Sequence, residues 1–417
     1  MTMGWKETRL KDVCLKTRQW KPKTEPRGDF LYIDVSSVSN DTYSIASPKA
    51  VTGRTAPGRA RKIVHAGDVI YATIRPTLRR IALVPAEYDN NMASTAFCVV
   101  RADRATAVPE YLYFLLLSDA MNKAIADAQH GASYPAVTDK DVLGQEVALP
   151  PLPEQKKIAA VLLKIQRAIS AQDKIIQSLR DLKKSTMQHL FTHGLRGEKT
   201  KMTDVGEIPE NWDVVALGEV AGIGAGGTPS RSNPQYWQRG SIPWVKTGEI
   251  DYCWIERTEE HITQAGLENS AAKLLPVGTL LLAMYGQGIT RGKVARLGIE
   301  ATTNQACATI RPDECKLHIP FLYAYLTWSY NRLRSLSHGA QQANLNARII
   351  AGFPVVLPPK ADQQAISRVM DKLDDKISNR ESKKATLQDL FKTTLNRLMT
   401  GDVRVADLDI DVKEVEV

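Results

Sequence analysis

Apolar residues recur at alternating spacings of three and four in two stretches of the chain, residues 149–197 and 357–405. This spacing is typical of a helix that packs along one stripe against another helix. Between about 155 and 192, and between about 363 and 400, neither stretch contains glycine or proline. At 1.5 Å per residue, about 38 residues predict a helix of roughly 57 Å in each stretch. The predicted seam between the two helices consists of Ile158, Leu162, Ile165, Ile169, Ile176, Leu179, Ile366, Met370, Leu373, Ile377, Leu387 and Phe391.

The second stretch is a copy of the first, without gaps, 208 positions further along the chain. Residues 149–151 (Leu-Pro-Pro) and Gln155 recur at 357–359 and Gln363, and about a third of the paired positions are identical. Fainter repeats precede each helix, among them a His-Gly-Ala tripeptide that also returns after 208 positions. A period of about half the chain indicates a duplicated protein rather than an array of short repeats.

The segments that precede the two helices mix short β-branched runs with amphipathic helical patterns, which is typical of α/β globular domains. We therefore predict a mixed α/β (α+β) fold with two pseudo-symmetric globular domains, separated by a pair of long antiparallel coiled-coil helices. The predicted boundaries are 1–148 for the first domain, 149–197 for the first helix, 198–356 for the second domain, 357–405 for the second helix and 406–417 for an acidic tail. Because the chain ends of a domain usually lie close together, we expect the second helix to run back along the first. The tail is expected either to be flexible or to lie near the amino terminus.

The chain has 417 residues, a formal net charge of +9, 43% hydrophobic residues and 24% charged residues. The length predicts two or three domains, and the composition is that of an ordinary globular protein. The positive charge favours an acidic partner, of which nucleic acid is the commonest, over a merely basic surface. Five cysteines without a C-x-x-C motif indicate a reducing compartment and argue against disulfides or a zinc knuckle. Since the sequence has no apolar run long enough to cross a membrane, we expect a soluble cytoplasmic protein.

Candidate recognition residues cluster first in residues 49–80, where eight basic residues accompany one acid. Glycines and prolines interrupt this segment, which predicts an exposed loop surface rather than a basic helix. Arginine and lysine supply charge for phosphates, and arginine also pairs with guanine in the major groove. The alternative is a solvated charged loop without a ligand. The candidates in the first domain are Arg54, Arg59, Arg61, Lys62, Arg75, Arg79, Arg80, Ser133 and Tyr134.

In the second domain, the comparable residues lie on glycine-rich segments at 226–233 and 285–293 and on a polar loop at 341–344. Small hydroxyl, amide and cationic groups on such loops can approach phosphates and base edges closely. The candidates, with one lysine between these segments, are Thr228, Ser230, Arg231, Lys246, Tyr285, Gln287, Thr290, Arg291, Lys293, Gln341, Gln342 and Asn344.

Three motifs suggest other chemistry and fail on their context. Residues 222–227 match the Gly-x-Gly-x-x-Gly dinucleotide fingerprint, but prolines follow where a helix has to begin. Residues 286–293 resemble a phosphate-binding loop with one residue too many between its glycines. His189 and His193 lie one helical turn apart without an apparent third metal ligand. The sequence contains no methyltransferase, helicase or nuclease motif, so we predict no catalytic residue, metal site or bound cofactor for this chain.

Four motifs of the chain occur together in one known family. They are residues 149–155 (Leu-Pro-Pro-Leu-Pro-Glu-Gln), their repeat at 357–363, residues 226–237 (Gly-Gly-Thr-Pro-Ser-Arg-Ser-Asn-Pro-Gln-Tyr-Trp) and residues 242–248 (Ile-Pro-Trp-Val-Lys-Thr-Gly). In this combination the chain closely resembles the specificity (S) subunit of type I restriction-modification enzymes. The resemblance covers nearly the whole chain. It departs from the family at residues 360–362 (Lys-Ala-Asp), where the family usually repeats Leu-Pro-Glu.

The resemblance implies two target-recognition domains, each reading half of a split sequence in double-stranded DNA. It implies that the helices act as a ruler between the halves and dock two modification (M) subunits, which carry S-adenosylmethionine. Restriction (R) subunits, which use ATP and Mg²⁺, join the complete nuclease. The chain itself is then a non-catalytic DNA-binding subunit. Two other functions stay open: a stand-alone bipartite DNA-binding protein such as a repressor, and a self-sufficient DNA-modifying enzyme.

Overall fold

The computed structural model of the chain describes residues 4–21, 28–131, 135–286, 289–336 and 344–415. The mixed α/β fold class is confirmed, and contacts divide the chain into two compact units. Unit 1 comprises Met1–Ile175 and Arg380–Val417, and unit 2 comprises Ile176–Asn379. Each unit therefore contains one globular part and one half of each long helix.

Unit 1 is built on two four-stranded sheets and a two-stranded one. Its strands are β1 (Lys6–Arg9), β2 (Cys14–Leu15), β3 (Asp29–Ile33), β4 (Lys49–Thr52), β5 (Ala60–Val64), β6 (Val69–Ala72), β7 (Ile81–Leu83), β8 (Asn91–Ser94), β9 (Phe97–Ala102) and β10 (Glu146–Leu149). Its helices are α1 (Pro109–Leu117), α2 (Asp119–Asp127), α3 (Asp139–Leu143) and the first half of α4 (Leu152–His193). The sheet orders are β4-β3-β8-β5, β2-β9-β6-β7 and β1-β10.

Unit 2 repeats this plan with different lengths. Its strands are β11 (Thr200–Thr203), β12 (Gly206–Pro209), β13 (Asp213–Ala216), β14 (Ala221–Ala225), β15 (Ile242–Val245), β16 (Trp254–Ile255), β17 (Glu260–Ile262), β18 (Leu280–Ala283), β19 (Val294–Leu297), β20 (Thr302–Thr303), β21 (Cys307–Pro312) and β22 (Pro354–Leu357). Its helices are α5 (Leu217–Val220), α6 (Gln264–Glu268), α7 (Ile319–Trp328), α8 (Tyr330–Ser335), α9 (Ala347–Ala351) and the first half of α10 (Lys360–Met399). The sheet orders are β14-β21-β18-β19-β16, β17-β15-β20, β13-β22 and β11-β12.

The two units share their strand connections. The first and last strands of each globular part pair antiparallel, as β1 with β10 in unit 1 and as β13 with β22 in unit 2. Each unit also contains a parallel pair at the corresponding place in its chain, β3 with β8 in unit 1 and β15 with β20 in unit 2, and unit 2 has a second parallel pair, β16 with β19. The duplication inferred from the helices therefore extends through the globular parts.

Both predicted long helices are present and uninterrupted, with 42 residues in α4 and 40 in α10. In unit 1 the start of α4 lies beside the end of α10, because Lys157 Nζ donates to the Ala406 carbonyl over 2.7 Å. Further along, Asp173 of α4 pairs with Lys384 of α10 at 2.5 Å, so the two helix halves of this unit run antiparallel. Among the predicted seam residues, Ile158, Leu162, Ile176, Ile366, Met370, Leu373 and Phe391 are buried, and Ile165, Ile169, Leu179, Ile377 and Leu387 are half-buried.

The helix halves belong to the hydrophobic core of each unit. In unit 1, the ring of Phe391 lies 6.0 Å from that of Phe114 on α1. In unit 2, the fully buried ring of Phe191 lies 5.7 Å from Phe321 and 5.4 Å from Tyr325 on α7. Burial of one such aromatic side chain stabilises a fold by about 1.5–3 kcal/mol. The helices are therefore integral to the globular parts that they follow.

The glutamine of the repeated Leu-Pro-Pro motif has the same structural role in both units. Gln155 accepts a hydrogen bond from the Val108 amide (2.9 Å) and donates to the carbonyls of Thr106 (3.1 Å) and Pro150 (2.8 Å). Gln363 accepts from the His318 amide (2.7 Å) and donates to the carbonyls of Lys316 (3.0 Å) and Pro358 (2.9 Å). This side chain fixes the start of each long helix to the start of an earlier helix of the same unit, α1 for α4 and α7 for α10. A backbone group that is buried needs such a partner, which explains why the residue recurs in the duplicated sequence.

The segment after α10 lies beside the start of α4 and beside Trp5, the residue before β1. Arg404 donates to both carboxylate oxygens of Glu154 (2.7 and 2.8 Å), and the Trp5 indole donates to the same carboxylate (3.2 Å). The hydrogen bond from Arg404 holds the pKa of Glu154 below its ordinary value. Val405 and Val415 are buried in the unit 1 core. In the predicted tail, Val415 is buried in the unit 1 core with Ile410 and Val412 packed against it, whereas a position of the tail near the amino terminus stays a prediction.

Candidate nucleic-acid interface

The candidates Arg54, Arg59 and Arg75 of unit 1 are exposed. In the described ranges, no hydrogen bond or ion pair engages any of these three guanidinium groups. The Thr95 amide donates to the Arg59 carbonyl over 2.8 Å, and the adjacent Ala96 carbonyl accepts from the Thr73 amide over 2.8 Å. The backbone of Arg59 therefore lies close to the chain that leads into Arg75. These cations have the exposure that phosphate contacts require.

Residues 49–80 contain no α-helix, as expected, but strands β4, β5 and β6 interrupt the predicted exposed loop. One consequence concerns Lys62, which is only 6% exposed and pairs with Asp139 at the start of α3. An amine that is buried and neutralised in this way is not a surface charge. Lys62 thus joins β5 to α3 and does not lie on the predicted exposed surface.

The other three arginines of this segment are engaged within unit 1. Arg79 donates to the Asp119 carboxylate over 2.6 Å, and Arg80 donates to the Val35 carbonyl over 3.2 Å. The guanidinium of Arg61 lies 5.9 Å from the centre of the Trp20 ring. Since each is only half-buried, these side chains both hold their segments and present charge to solvent.

In unit 2, the candidate cations are compensated by acids. The guanidinium of Arg231 lies 3.7 Å from the ring centre of Trp237 and 4.7 Å from that of Trp244, and it pairs with Glu260. Lys246 pairs with Glu259 at 2.5 Å and with Glu260 at 3.3 Å. Because Arg231 donates to it, the pKa of Glu260 lies below the ordinary value. The stacking of Arg231 on Trp237 and Trp244 therefore fixes the segment 226–237 against β15. The ion pair with Glu260 on β17 neutralises the charge that was predicted to bind phosphates.

The remaining candidates of unit 2 differ in their exposure and in their partners. Lys293 pairs with Asp251 at 2.6 Å, and the Thr228 hydroxyl donates to Gln305. Ser230 and Tyr285 are exposed, as is Asn344, whereas Thr290 and Arg291 are half-buried. The candidates Ser133, Tyr134, Gln287, Gln341 and Gln342 lie outside the described residues.

The glycines of the 226–233 segment serve internal packing. A Cβ atom on Gly226 would lie 2.2 Å from the Thr303 carbonyl oxygen, and one on Gly227 would lie 2.3 Å from the backbone of Ala271. No side chain fits at such distances, so these two positions require glycine. The close approach of the Thr303 and Ala271 backbones accounts for these two glycines, and the approach of a ligand to this segment stays a prediction.

Features of other site types are few in the part of the chain that the structure describes. His189 and His193 place their rings 5.3 Å apart, yet no group of three or more His, Cys, Asp or Glu residues there is arranged to hold a metal. Residues 222–225 belong to strand β14, which does not lead into a helix as a dinucleotide site requires. None of the described helices combines the length and the apolar character that crossing a membrane requires.

Comparison with known proteins agrees with this architecture. The model of the type I restriction modification DNA specificity domain matches the chain twice, at residues 3–180 and 209–389. The type I restriction enzyme HindI specificity subunit of Haemophilus influenzae is 22% identical over 96% of this chain and 99% of its own length. A putative type I specificity subunit of Methanocaldococcus jannaschii, MjaX, is 24% identical over 96% of this chain and 94% of its own.

Among solved structures, a chain from a study of complex assembly and conformational transition of the type I restriction-modification system is similar over its whole length. It is 27% identical, with a TM-score of 0.62, and the similarity covers 96% of this chain and 99% of that one. Since the two domain matches together span most of the sequence, the chain belongs to the family of type I restriction-modification specificity subunits, which recognise DNA and are not catalytic.

Proposed function

We propose that the chain reads a split DNA sequence, with the globular part of each unit recognising one half. The observation that supports this is the contrast between a shared framework and different loops. The strand connections recur in the two units. The loops differ, because unit 1 exposes Arg54, Arg59 and Arg75 without an acidic partner among its described residues, whereas in unit 2 Arg231 stacks on Trp237. A duplicated scaffold with divergent loops allows each half to be read independently, because base contacts depend on side chains at loops.

We further propose the partners that go with this function. The long helices dock two M subunits, which bind S-adenosylmethionine and methylate the DNA. R subunits, with ATP and Mg²⁺, add cleavage. The chain itself supplies recognition in the cytoplasm and binds none of these cofactors. Support comes from the family membership and from the long solvent-exposed stretches of α4 and α10, which carry many charged residues.

Domain replacement tests the central proposal. Residues 1–148 are replaced by the corresponding domain of another family member, and the chain is expressed with its M subunits in a host without methylation at these sites. Sequencing of modified bases should show that one half of the methylated sequence changes and the other half stays. A control chain with its own residues 1–148 recloned through the same junctions should keep both halves. A change in both halves, or in neither, would contradict the proposal.

The purified chain alone separates this function from the two others. As a subunit it is expected to neither methylate nor cleave DNA and to bind its target tightly only with M subunits. Tight, specific binding by the chain alone at physiological salt would favour a stand-alone binding protein.

A further inference from the structure

Two hairpin tips occupy equivalent places in the two units. We call residues 73–80, between β6 and β7, tip 1, and residues 284–286 and 289–293, the described part of the connection between β18 and β19, tip 2. At the base of tip 1 the Ala72 amide donates to the Arg80 carbonyl over 3.0 Å, and at the base of tip 2 the Ala283 amide donates to the Lys293 carbonyl over 2.9 Å. The equivalence therefore follows from the hydrogen-bond register.

Both tips expose large apolar side chains. In tip 1, Ile74 is 40% and Leu78 is 43% exposed; in tip 2, Tyr285 is 41% and Ile289 is 70% exposed. Fourteen large apolar side chains are exposed in the described part of the chain, and four of them lie in these two short loops. A single exposed apolar residue is ordinary, but its recurrence at the same place in both units points to contact with a partner.

The charges of the tips indicate what that partner is. Neither tip contains an aspartate or glutamate of its own. Tip 1 carries Arg75, Arg79 and Arg80, of which Arg79 pairs with Asp119, and tip 2 carries Arg291 and Lys293, of which Lys293 pairs with Asp251. Arg75 is exposed, and no acid pairs with it among the described residues. A surface with apolar centres and cationic surroundings suits a duplex, where phosphates flank grooves that contain thymine methyl groups and the apolar edges of bases. A protein partner with an acidic, apolar surface is the competing occupant.

The described residues of each tip form hydrogen bonds with other parts of the same unit. In tip 1, Pro76–Leu78 forms a short 3-10 turn between Arg75 and Arg79, whose φ angles of +48° and +49° lie in the left-handed region. The Arg75 amide donates to the Pro135 carbonyl over 2.8 Å, and Asp119 accepts from Arg79 over 2.6 Å. In tip 2, the Tyr330 hydroxyl donates to the Ile289 carbonyl over 2.6 Å. A fixed loop loses little conformational entropy on binding, which favours specific contacts.

From these observations we infer that Ile74 and Leu78 in tip 1, and Tyr285 and Ile289 in tip 2, contact bases of the DNA target directly. They determine sequence preference through thymine methyl groups and base edges, whereas the exposed Arg75 of tip 1 supplies affinity for phosphates. The inference rests on the proposed function, because it assigns a part of the same recognition surface. Of these four residues, only Tyr285 is among the candidates predicted from the sequence.

Binding measurements on the chain assembled with its M subunits test the assignment. The ligands are the duplex identified by methylation mapping and the same duplex with one specified base pair changed. Leu78→Ser should weaken binding to the mapped duplex by about tenfold, the effect of one mismatched base pair, and should leave the salt dependence unchanged. Leu15→Ser is the matched control, because Leu15 is 52% exposed in the same unit and lies on β2 outside the tips. Equal effects of the two substitutions, or no effect of Leu78→Ser, would overturn the inference.

Photo-crosslinking gives a readout that does not depend on the stability of the serine variant. Leu78→p-benzoylphenylalanine in the assembled complex should crosslink to a base in the half-site that unit 1 recognises, and the same group at Leu15 should not. A complex that still binds the mapped duplex without crosslinking at position 78 would refute the inference, as would crosslinking to a protein subunit only. In those cases a domain replacement that changes one half of the target would still leave the proposed function standing.

Discussion

Replacement of Gln155 by methionine tests how the long helix is fixed to unit 1. The substitution keeps the length of the side chain and removes its polar end. The hydrogen bonds to the Val108 amide and the Pro150 carbonyl are buried, whereas the bond to the Thr106 carbonyl is only partly buried and water can replace it. Two buried groups are therefore left without a partner, at about 1–3 kcal/mol each. We expect Gln155→Met to lower the free energy of unfolding of unit 1 by about 3 kcal/mol.

The duplication provides an internal comparison for this prediction. At Gln363 only the bond to the Pro358 carbonyl is buried, and the other two are partly buried. Gln363→Met should accordingly cost less, about 1–3 kcal/mol, and should affect unit 2. Gln177→Met, on the exposed face of α4, is the matched control and should change stability by less than about 0.5 kcal/mol.

Hydrogen exchange measures the effect locally, which matters because a chain with two units need not unfold in one step. The hydrogen exchange of the Val108 amide should be faster in Gln155→Met and unchanged in Gln363→Met. Urea unfolding should give the change in the free energy of unfolding for each variant. If Gln155→Met and Gln177→Met behaved alike, the hydrogen bonds of Gln155 would not be what fixes the helix entrance.

Three further outcomes are expected. Phe191→Ala should destabilise unit 2 by about 3–5 kcal/mol in urea unfolding, because it empties a fully buried aromatic site; a loss under 1 kcal/mol would contradict the packing. The depressed pKa of Glu154 means that the stabilisation from Arg404 is complete above the ordinary value of 4.5 and is lost as the pH falls through the lower pKa of the folded state. Arg404→Gln should therefore flatten the decline of melting temperature in acid, and an unchanged decline would argue against this pair as its source. Arg59→Gln should weaken binding to all duplexes and reduce the salt slope by about one, whereas Lys62→Gln should mainly lower the melting temperature, and the reverse pattern would exchange their roles.

The sequence was sufficient for the features that depend on neighbouring residues along the chain. The regular spacing of apolar residues and the lack of glycine and proline predicted helices from about 155 to 192 and from about 363 to 400. Helices α4 and α10 contain those ranges. The duplication needed only the comparison of the chain with itself. A helix satisfies its backbone hydrogen bonds within one segment, so its signal is local and does not depend on the rest of the fold.

The tertiary structure decided which charged residues are available to a ligand. Arg59 and Lys62 are three positions apart, yet Arg59 is exposed while Lys62 is buried beside Asp139, which lies 77 positions further along the chain. Likewise, Glu260 on β17 neutralises Arg231. Position 226 requires glycine because the backbone of Thr303 lies so close to it. Burial and charge compensation depend on partners that are brought together only by folding. For this reason the sequence predicted the architecture and the family, whereas the identity of the exposed recognition residues required the fold.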